Sequence, residues 1–72
     1  MKKSYNIDVE CANCANKMEA AIAKLEGVKS VIINFLTQRI TVEFGEGCSP
    51  ETVLAEIERV CRKIEPDCVI EY

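Results

Sequence analysis

The order in which two apolar periodicities alternate along the chain constrains its fold more than any other feature. Four segments have the two-residue period, or the β-branched composition, that is typical of a half-buried strand. In chain order they are Tyr5 to Val9, Val28 to Phe35, Arg39 to Phe44 and Cys68 to Tyr72. Leu36-Thr37-Gln38 is the predicted turn between the second and third strands, although it lacks the Asn-Gly signature of a tight hairpin.

Two segments between these strands have helical periodicity instead. Their apolar positions are Met18, Ala21, Ile22 and Leu25 in the first, and Val53, Leu54, Ile57, Val60, Cys61 and Ile64 in the second. Gly27 is the predicted left-handed cap of the first helix. Ser49 is the predicted N-cap of the second, with Pro50 at its first position and Glu65-Pro66-Asp67 at its end.

The resulting order, β-α-β-β-α-β, predicts one α+β domain over residues 1–72. Two crossovers around a central hairpin give a ferredoxin-like βαββαβ sandwich, in which a four-stranded antiparallel sheet carries both helices on one face.

The charge balance and the missing histidine exclude several functions. The net charge of −3 argues against binding to nucleic acid or to an anionic membrane. The chain has no His, the usual base for a nucleophilic cysteine, so a Cys-His hydrolase is excluded. No apolar stretch approaches the ~18 residues of a membrane span, and no signal-peptide core follows the N-terminal lysines. We therefore expect a cytoplasmic monomer, or the cytosolic tail of a membrane transporter.

Cys11 and Cys14 are the residues whose spacing points to chemistry. They lie where the first strand gives way to the first helix, and two thiols so placed can hold one soft metal ion or form one disulfide. The partial positive charge of a helix start favours the thiolate, which is the form that binds metal. Two thiolates alone suit Cu(I), whereas Zn(II), Cd(II) or Pb(II) requires further ligands.

Glu10 bears on which metal is bound, because its carboxylate stands directly before Cys11. An oxygen ligand and an added negative charge suit a divalent ion better than Cu(I). The alternative is that Glu10 is a solvated loop residue, and the sequence leaves the two equally open.

The chain resembles heavy-metal-associated domains, the modules shared by copper chaperones, mercury-binding proteins and the N-terminal tails of metal-pumping P-type ATPases. The matching segments are Cys11-Ala12-Asn13-Cys14-Ala15, Lys17-Met18-Glu19, Gly27-Val28 and residues 31–35. The resemblance implies one metal ion held by Cys11 and Cys14. It also implies a non-enzymatic module that delivers or regulates metal for an ATPase, in the same chain or a partner, or that exchanges metal with a metallochaperone.

Departures from the copper pattern indicate which metal this module carries. Copper members resemble Gly-Met-Thr/His before the first cysteine, where this chain has Asp8, Val9 and Glu10. An acidic residue there, together with Glu65-Pro66-Asp67 before the last strand, is similar to zinc, cadmium and lead exporters. The resemblance therefore favours Zn(II), Cd(II) or Pb(II), with a Cu(I) chaperone or copper-ATPase domain as the alternative.

The other three cysteines are not predicted to join this site. Cys61 and Cys68 fall at apolar positions and are interpreted as small core residues, whereas Cys48 is expected to be exposed at the opposite end of the sheet. A second metal site from Cys48, Cys61 and Cys68 is not expected, because the three include no close pair. Lys63 is a candidate for offsetting the charge of a bis-thiolate complex, or else a solvated residue, and Glu19 is interpreted as part of a solvated helix face.

Three functions are consistent with these patterns. The first is a module that accepts a soft ion and passes it on by thiolate exchange, for which the acidic charge favours an ATPase domain over a free-standing chaperone. The second is a thiol–disulfide redox protein, although its fold would require a longer chain. The third is a structural module whose cysteine pair is incidental.

Overall fold

The computed structural model describes residues 2–72 and confirms the predicted order of elements. In chain order the elements are β1 (Lys2–Asp8), α1 (Ala12–Ile22), β2 (Val28–Asn34), β3 (Arg39–Phe44), α2 (Pro50–Ile64) and β4 (Val69–Glu71). The strands form one antiparallel sheet in the order β2-β3-β1-β4. This is the ferredoxin-like arrangement predicted from the sequence. Neither helix in the described range is long and apolar enough to cross a membrane.

The core lies between the two helices and one face of the sheet. The register places Val31 opposite Val42 and Ile7 opposite Ile70, so that the inward side chains of all four strands meet. Met18, Ile22 and Ile57 close this layer from the helices and are 0% exposed. Burying a side chain of this size contributes about 1.5–3 kcal/mol, so these three contacts fix both helices against the sheet.

Helix α1 ends earlier than the sequence predicts. It stops at Ile22, and Lys24 and Leu25 then donate their N–H groups to the carbonyls three residues before them, so Leu25 lies in a turn rather than on the helical stripe. Gly27 is left-handed, with a φ of 90°, but it lies in the turn that leads into β2 instead of capping the helix. A Cβ at this position would lie 2.8 Å from Val53 Cγ2, so the glycine also allows the close approach of α2.

Helix α2 begins and ends where the sequence predicts. Ser49 is at the N-cap and Pro50 follows it, although the Ser49 hydroxyl makes no capping hydrogen bond. The missing N–H of Pro50 removes one of the donors that a cap would have to satisfy. Arg62 and Lys63 lie in the last turn, where positive charge interacts favourably with the helix dipole.

The turn between β2 and β3 is closed by a side chain, so it does not require the Asn-Gly pair of a tight hairpin. Asn34 accepts hydrogen bonds through Oδ1 from the N–H groups of Leu36 (3.0 Å) and Thr37 (3.2 Å), which closes the turn through a side chain. Gln38 completes the turn with a left-handed φ of 55°.

Glu19 has a structural role that the sequence analysis missed. Its carboxylate accepts a hydrogen bond from the N–H of Ile33 at 2.8 Å, on the outer strand of the sheet. A residue interpreted as part of a solvated face therefore connects α1 to β2.

Candidate metal site

Cys11 and Cys14 lie at the start of α1, as predicted. Cys11 is the N-cap, with an extended backbone, and Cys14 is the third helical residue. The sulfur of Cys11 accepts a hydrogen bond from the N–H of Cys14 at 3.4 Å, and the Cys11 carbonyl accepts one from Ala15 at 2.9 Å. The thiol of Cys11 thus replaces the hydroxyl or carboxylate that usually caps a helix.

The two thiols differ in their exposure. Cys11 is exposed, whereas Cys14 is half-buried and packs against the core. Neither is in a disulfide. An incoming thiolate could therefore reach an ion held by this pair from the side of Cys11.

The two thiols also differ in their acidity. The pKa of Cys11 is lowered, chiefly because its sulfur accepts the backbone N–H of Cys14. The pKa of Cys14 is raised, chiefly by its side-chain hydrogen bond to Cys11 and then by desolvation. The nearby Lys17 acts in the opposite direction on Cys14. Cys11 is therefore the first of the pair to become a thiolate, the species that binds metal.

A carboxylate from the far end of the chain reaches the cysteine loop. The N–H of Glu10 donates to both carboxylate oxygens of Glu65, at 3.1 and 3.4 Å, and the charge of Glu65 acts to raise the pKa values of Cys11 and Cys14. From the sequence, Lys63 is the candidate near the end of α2 for offsetting the charge of a bis-thiolate complex. Lys63 is exposed, and Glu65 makes the contact.

The donors are not yet arranged as a complete coordination sphere. Within residues 2–72, no three Cys, Asp, Glu or His side chains are grouped closely enough to hold one ion. The side chain of Glu10 is exposed beside Cys11, and that of Glu65 is engaged by the Glu10 backbone. The site therefore offers two sulfurs, with two carboxylates on neighbouring residues.

Comparison with known proteins supplies the family. The chain matches the heavy-metal-associated domain over residues 4–68. It belongs to that family. The expected resemblance is thereby confirmed, and the matched range includes both cysteines of the candidate site.

Relatives of this heavy-metal-associated domain occur in transporters of different metals. It is 27% identical to the cadmium, zinc and cobalt-transporting ATPase of Bacillus subtilis, over 97% of the chain and 10% of that protein. It is 34% identical to the probable copper-transporting ATPase PacS of Synechocystis, over 82% of the chain and 8% of that protein. The chain thus spans a tenth or less of the length of these relatives.

A solved structure agrees with the fold of the domain. A copper-binding domain from a P-type ATPase superposes with a TM-score of 0.75 at 26% identity, covering 97% of this chain and 89% of that one. Structural similarity on this scale extends over nearly the whole βαββαβ unit.

Gln38 supports the cysteine loop of the domain from the β2–β3 turn. Its side-chain carbonyl accepts the N–H of Val9 at 2.8 Å, and its backbone carbonyl accepts that of Ile7 at 3.0 Å. Its side-chain amide donates to the carbonyl of Phe35 at 2.7 Å. These bonds fix the chain two residues before Cys11.

The remaining cysteines of the domain lie apart from the candidate site. Cys48 is exposed beside Gly27, beyond the C-terminal end of α1, as predicted. Cys61 and Cys68 are core residues, also as predicted. Two of the three nevertheless lie near each other, since the thiols of Cys61 and Cys68 each act on the pKa of the other. The pKa of Cys61 is raised to about 12, chiefly by burial and then by the nearby Cys68 thiol.

Proposed function

We propose that Cys11 and Cys14 bind one soft metal ion and that the domain accepts or delivers this ion for a metal-transporting P-type ATPase. The observation that carries this proposal is the pair of free thiols at one helix start, one exposed and one half-buried, in a chain of the heavy-metal-associated family. The domain performs no catalysis of its own in this proposal and acts on the cytoplasmic side, where thiols stay reduced.

The metal is proposed to be divalent, Zn(II), Cd(II) or Pb(II). Two thiolates leave such an ion short of ligands. Two carboxylates could complete its coordination: that of Glu10, next to Cys11 in the chain, and that of Glu65, which accepts the Glu10 N–H. They also add negative charge, which stabilises a divalent ion more than a monovalent one. The cadmium, zinc and cobalt transporter among the relatives supports this choice.

Glu65 is the better placed of the two carboxylates. Both of its oxygens already face the peptide that precedes Cys11, at 3.1 and 3.4 Å from the Glu10 nitrogen. A bound cation would compete with that N–H for the same oxygens. Glu10, predicted from the sequence as a third ligand, is the alternative, since its own side chain is exposed beside the cysteine.

Competitive metal titration of the reduced domain tests the proposal. We expect one Cd(II) per chain, with binding abolished in Cys11→Ser and in Cys14→Ser. Glu65→Gln should weaken Cd(II) binding by roughly tenfold or more while changing Cu(I) binding little, because a charge-bearing oxygen ligand is lost. Glu10→Gln is the matched comparison, and the carboxylate ligand is whichever residue shows the metal-selective loss.

Three results would contradict parts of this proposal. Unchanged Cd(II) affinity in both cysteine variants would remove the dithiol site. Equal losses of Cd(II) and Cu(I) affinity in both glutamate variants would remove the carboxylate from the coordination sphere. Turnover of a disulfide substrate such as insulin, without metal affinity, would favour the thiol–disulfide redox function instead.

A further inference from the structure

A second pair of thiols lies inside the domain. Cys61, in the last turn of α2, is 0% exposed, and Cys68, immediately before β4, is 1% exposed. Both thiols are free, α2 packs against β4, and each of the two thiols acts on the pKa of the other. Nothing in the proposed function uses them.

The backbone holds this second pair in place. The N–H of Glu65 donates to the carbonyl of Cys61 at 2.8 Å, and the N–H of Cys68 donates to the carbonyl of Glu65 at 3.0 Å. Arg62 adds a bond from Nε to the carbonyl of Cys68 at 3.5 Å. The short connection between α2 and β4 is thus closed on itself, which fixes the backbone that carries the two thiols.

We propose that Cys61 and Cys68 form a second, buried site for one soft divalent ion that is satisfied by two thiolates in linear geometry, of which the mercuric ion is the representative. The donor count supports this class of ion. The pair offers two sulfurs, and no group of three metal-binding side chains occurs in the described range, whereas Zn(II) requires about four donors.

Charge decides between a divalent ion and Cu(I) at this site. Each thiol gives up one proton, and the two protons leave as the two metal–sulfur bonds form. A divalent ion with two thiolates is then neutral, whereas Cu(I) with two thiolates carries one negative charge. Most of the charged groups that act on the pair are carboxylates: Glu58 and Glu65 act on Cys61, and Asp8 and Glu65 act on Cys68, where Arg62 acts in the opposite direction. Because uncompensated buried charge is costly, the neutral complex is favoured.

The buried pair lies near the end of β1, the strand that leads into the cysteine loop. Asp8 of β1 pairs with Val69 of β4, which places Cys68 next to Val9 at the same end of the sheet. The charge of Glu65 acts to raise the pKa values of all four thiols.

The test uses the 72-residue chain with Cys11, Cys14 and Cys48 all replaced by Ser, so that Cys61 and Cys68 are its only thiols. Mercuric chloride is added to the reduced protein in equimolar amount, followed by an excess of the monothiol 2-mercaptoethanol. We expect one mercury per chain in native mass spectrometry, a sulfur-to-mercury charge-transfer band, and an unchanged far-UV circular dichroism spectrum. Cadmium chloride in the same protocol should not be retained.

Two matched variants separate the loss of a thiol ligand from a loss of folding. Cys61→Ala and Cys68→Val, each added to the same background, leave a single buried thiol and should lose mercury to the monothiol. Equal retention in these variants would overturn the proposal. So would mercury binding that requires loss of the native spectrum, or a protein recovered without mercury and with a disulfide between Cys61 and Cys68. Because Cys11 and Cys14 are absent, failure here leaves the proposed function untouched.

Discussion

At the scale of single residues, Cys11 and Cys14 share a sequence motif but not an environment. Cys11 accepts a backbone N–H and is exposed, whereas Cys14 is half-buried and its pKa is raised by its own hydrogen bond to Cys11. A spacing pattern treats two such cysteines as equivalent. Their environments give them different reactivities, because the thiolate is the nucleophile and only one of the two is favoured to ionise.

Alkylation kinetics should show this inequality. At neutral pH, we expect iodoacetamide to modify Cys11 roughly ten times faster than Cys14, because both its ionisation and its exposure are greater. A time course followed by peptide mass mapping measures the two rates. In urea the two rates should converge, and equal rates in the folded domain would contradict the assigned hydrogen-bond directions.

At the scale of elements, the outer strand β2 depends on a side chain from α1. Glu19 accepts the N–H of Ile33 at 2.8 Å, a group that has no such partner if the carboxylate is removed. A partly buried N–H left without an acceptor costs about 1–3 kcal/mol. The bond therefore stabilises β2, which is an edge strand of the sheet.

We expect Glu19→Ala to lower the free energy of unfolding by about 1–2 kcal/mol and to speed hydrogen exchange at the Ile33 amide. Glu19→Gln is the matched control, because it retains a carbonyl acceptor of the same reach and should lose less. Urea denaturation of the two variants gives the difference. Identical stabilities would show that the Glu19–Ile33 bond contributes nothing.

The same elements show how far the sequence alone could go. Periodicity predicted all six elements, because burial on one face requires inward residues at fixed intervals. It placed Cys11 and Cys14 correctly, since both are local to one helix start. It missed the early end of α1, because Leu25 continues the apolar spacing although it lies in a turn.

Side-chain contacts between segments that are distant in the chain could not be predicted from the sequence. Glu65 reaches Glu10 across 55 positions, Gln38 reaches Val9 across 29, and Cys61 meets Cys68 only because the end of α2 folds back on β4. None of these has a period or a motif. Topology predicted which loops would be neighbours, but not which side chain of each loop would make the contact.

At the scale of the whole molecule, the buried thiols make stability depend on alkaline pH. The Cys61 thiol ionises near 9.0 in an unfolded chain and near 12 in the folded one, where burial disfavours the thiolate. Between these values the unfolded state binds fewer protons than the folded state. Stability contributed by this group is therefore complete below pH 9 and falls as the pH rises toward 12.

We expect the free energy of unfolding of the reduced protein to fall above pH 9 by on the order of 1 kcal/mol per pH unit through Cys61. Urea denaturation at several alkaline pH values measures the slope. Other groups also titrate in this range, so the informative quantity is the difference from Cys61→Ala, which should fall less steeply. Parallel curves would contradict the raised pKa of Cys61.

Because the Cys11 sulfur caps α1, the choice of substitution at Cys11 decides whether a variant tests metal binding alone. No acidic residue stands in the first turn of α1, so the Cys11 sulfur is the side-chain acceptor at this helix start. Serine is among the best N-cap residues, whereas alanine has no acceptor and commonly costs about 1 kcal/mol there. Cys11→Ser therefore removes a soft ligand and leaves the helix capped, while Cys11→Ala would combine a lost ligand with a frayed helix. An affinity measured on the alanine variant would report both effects as one number.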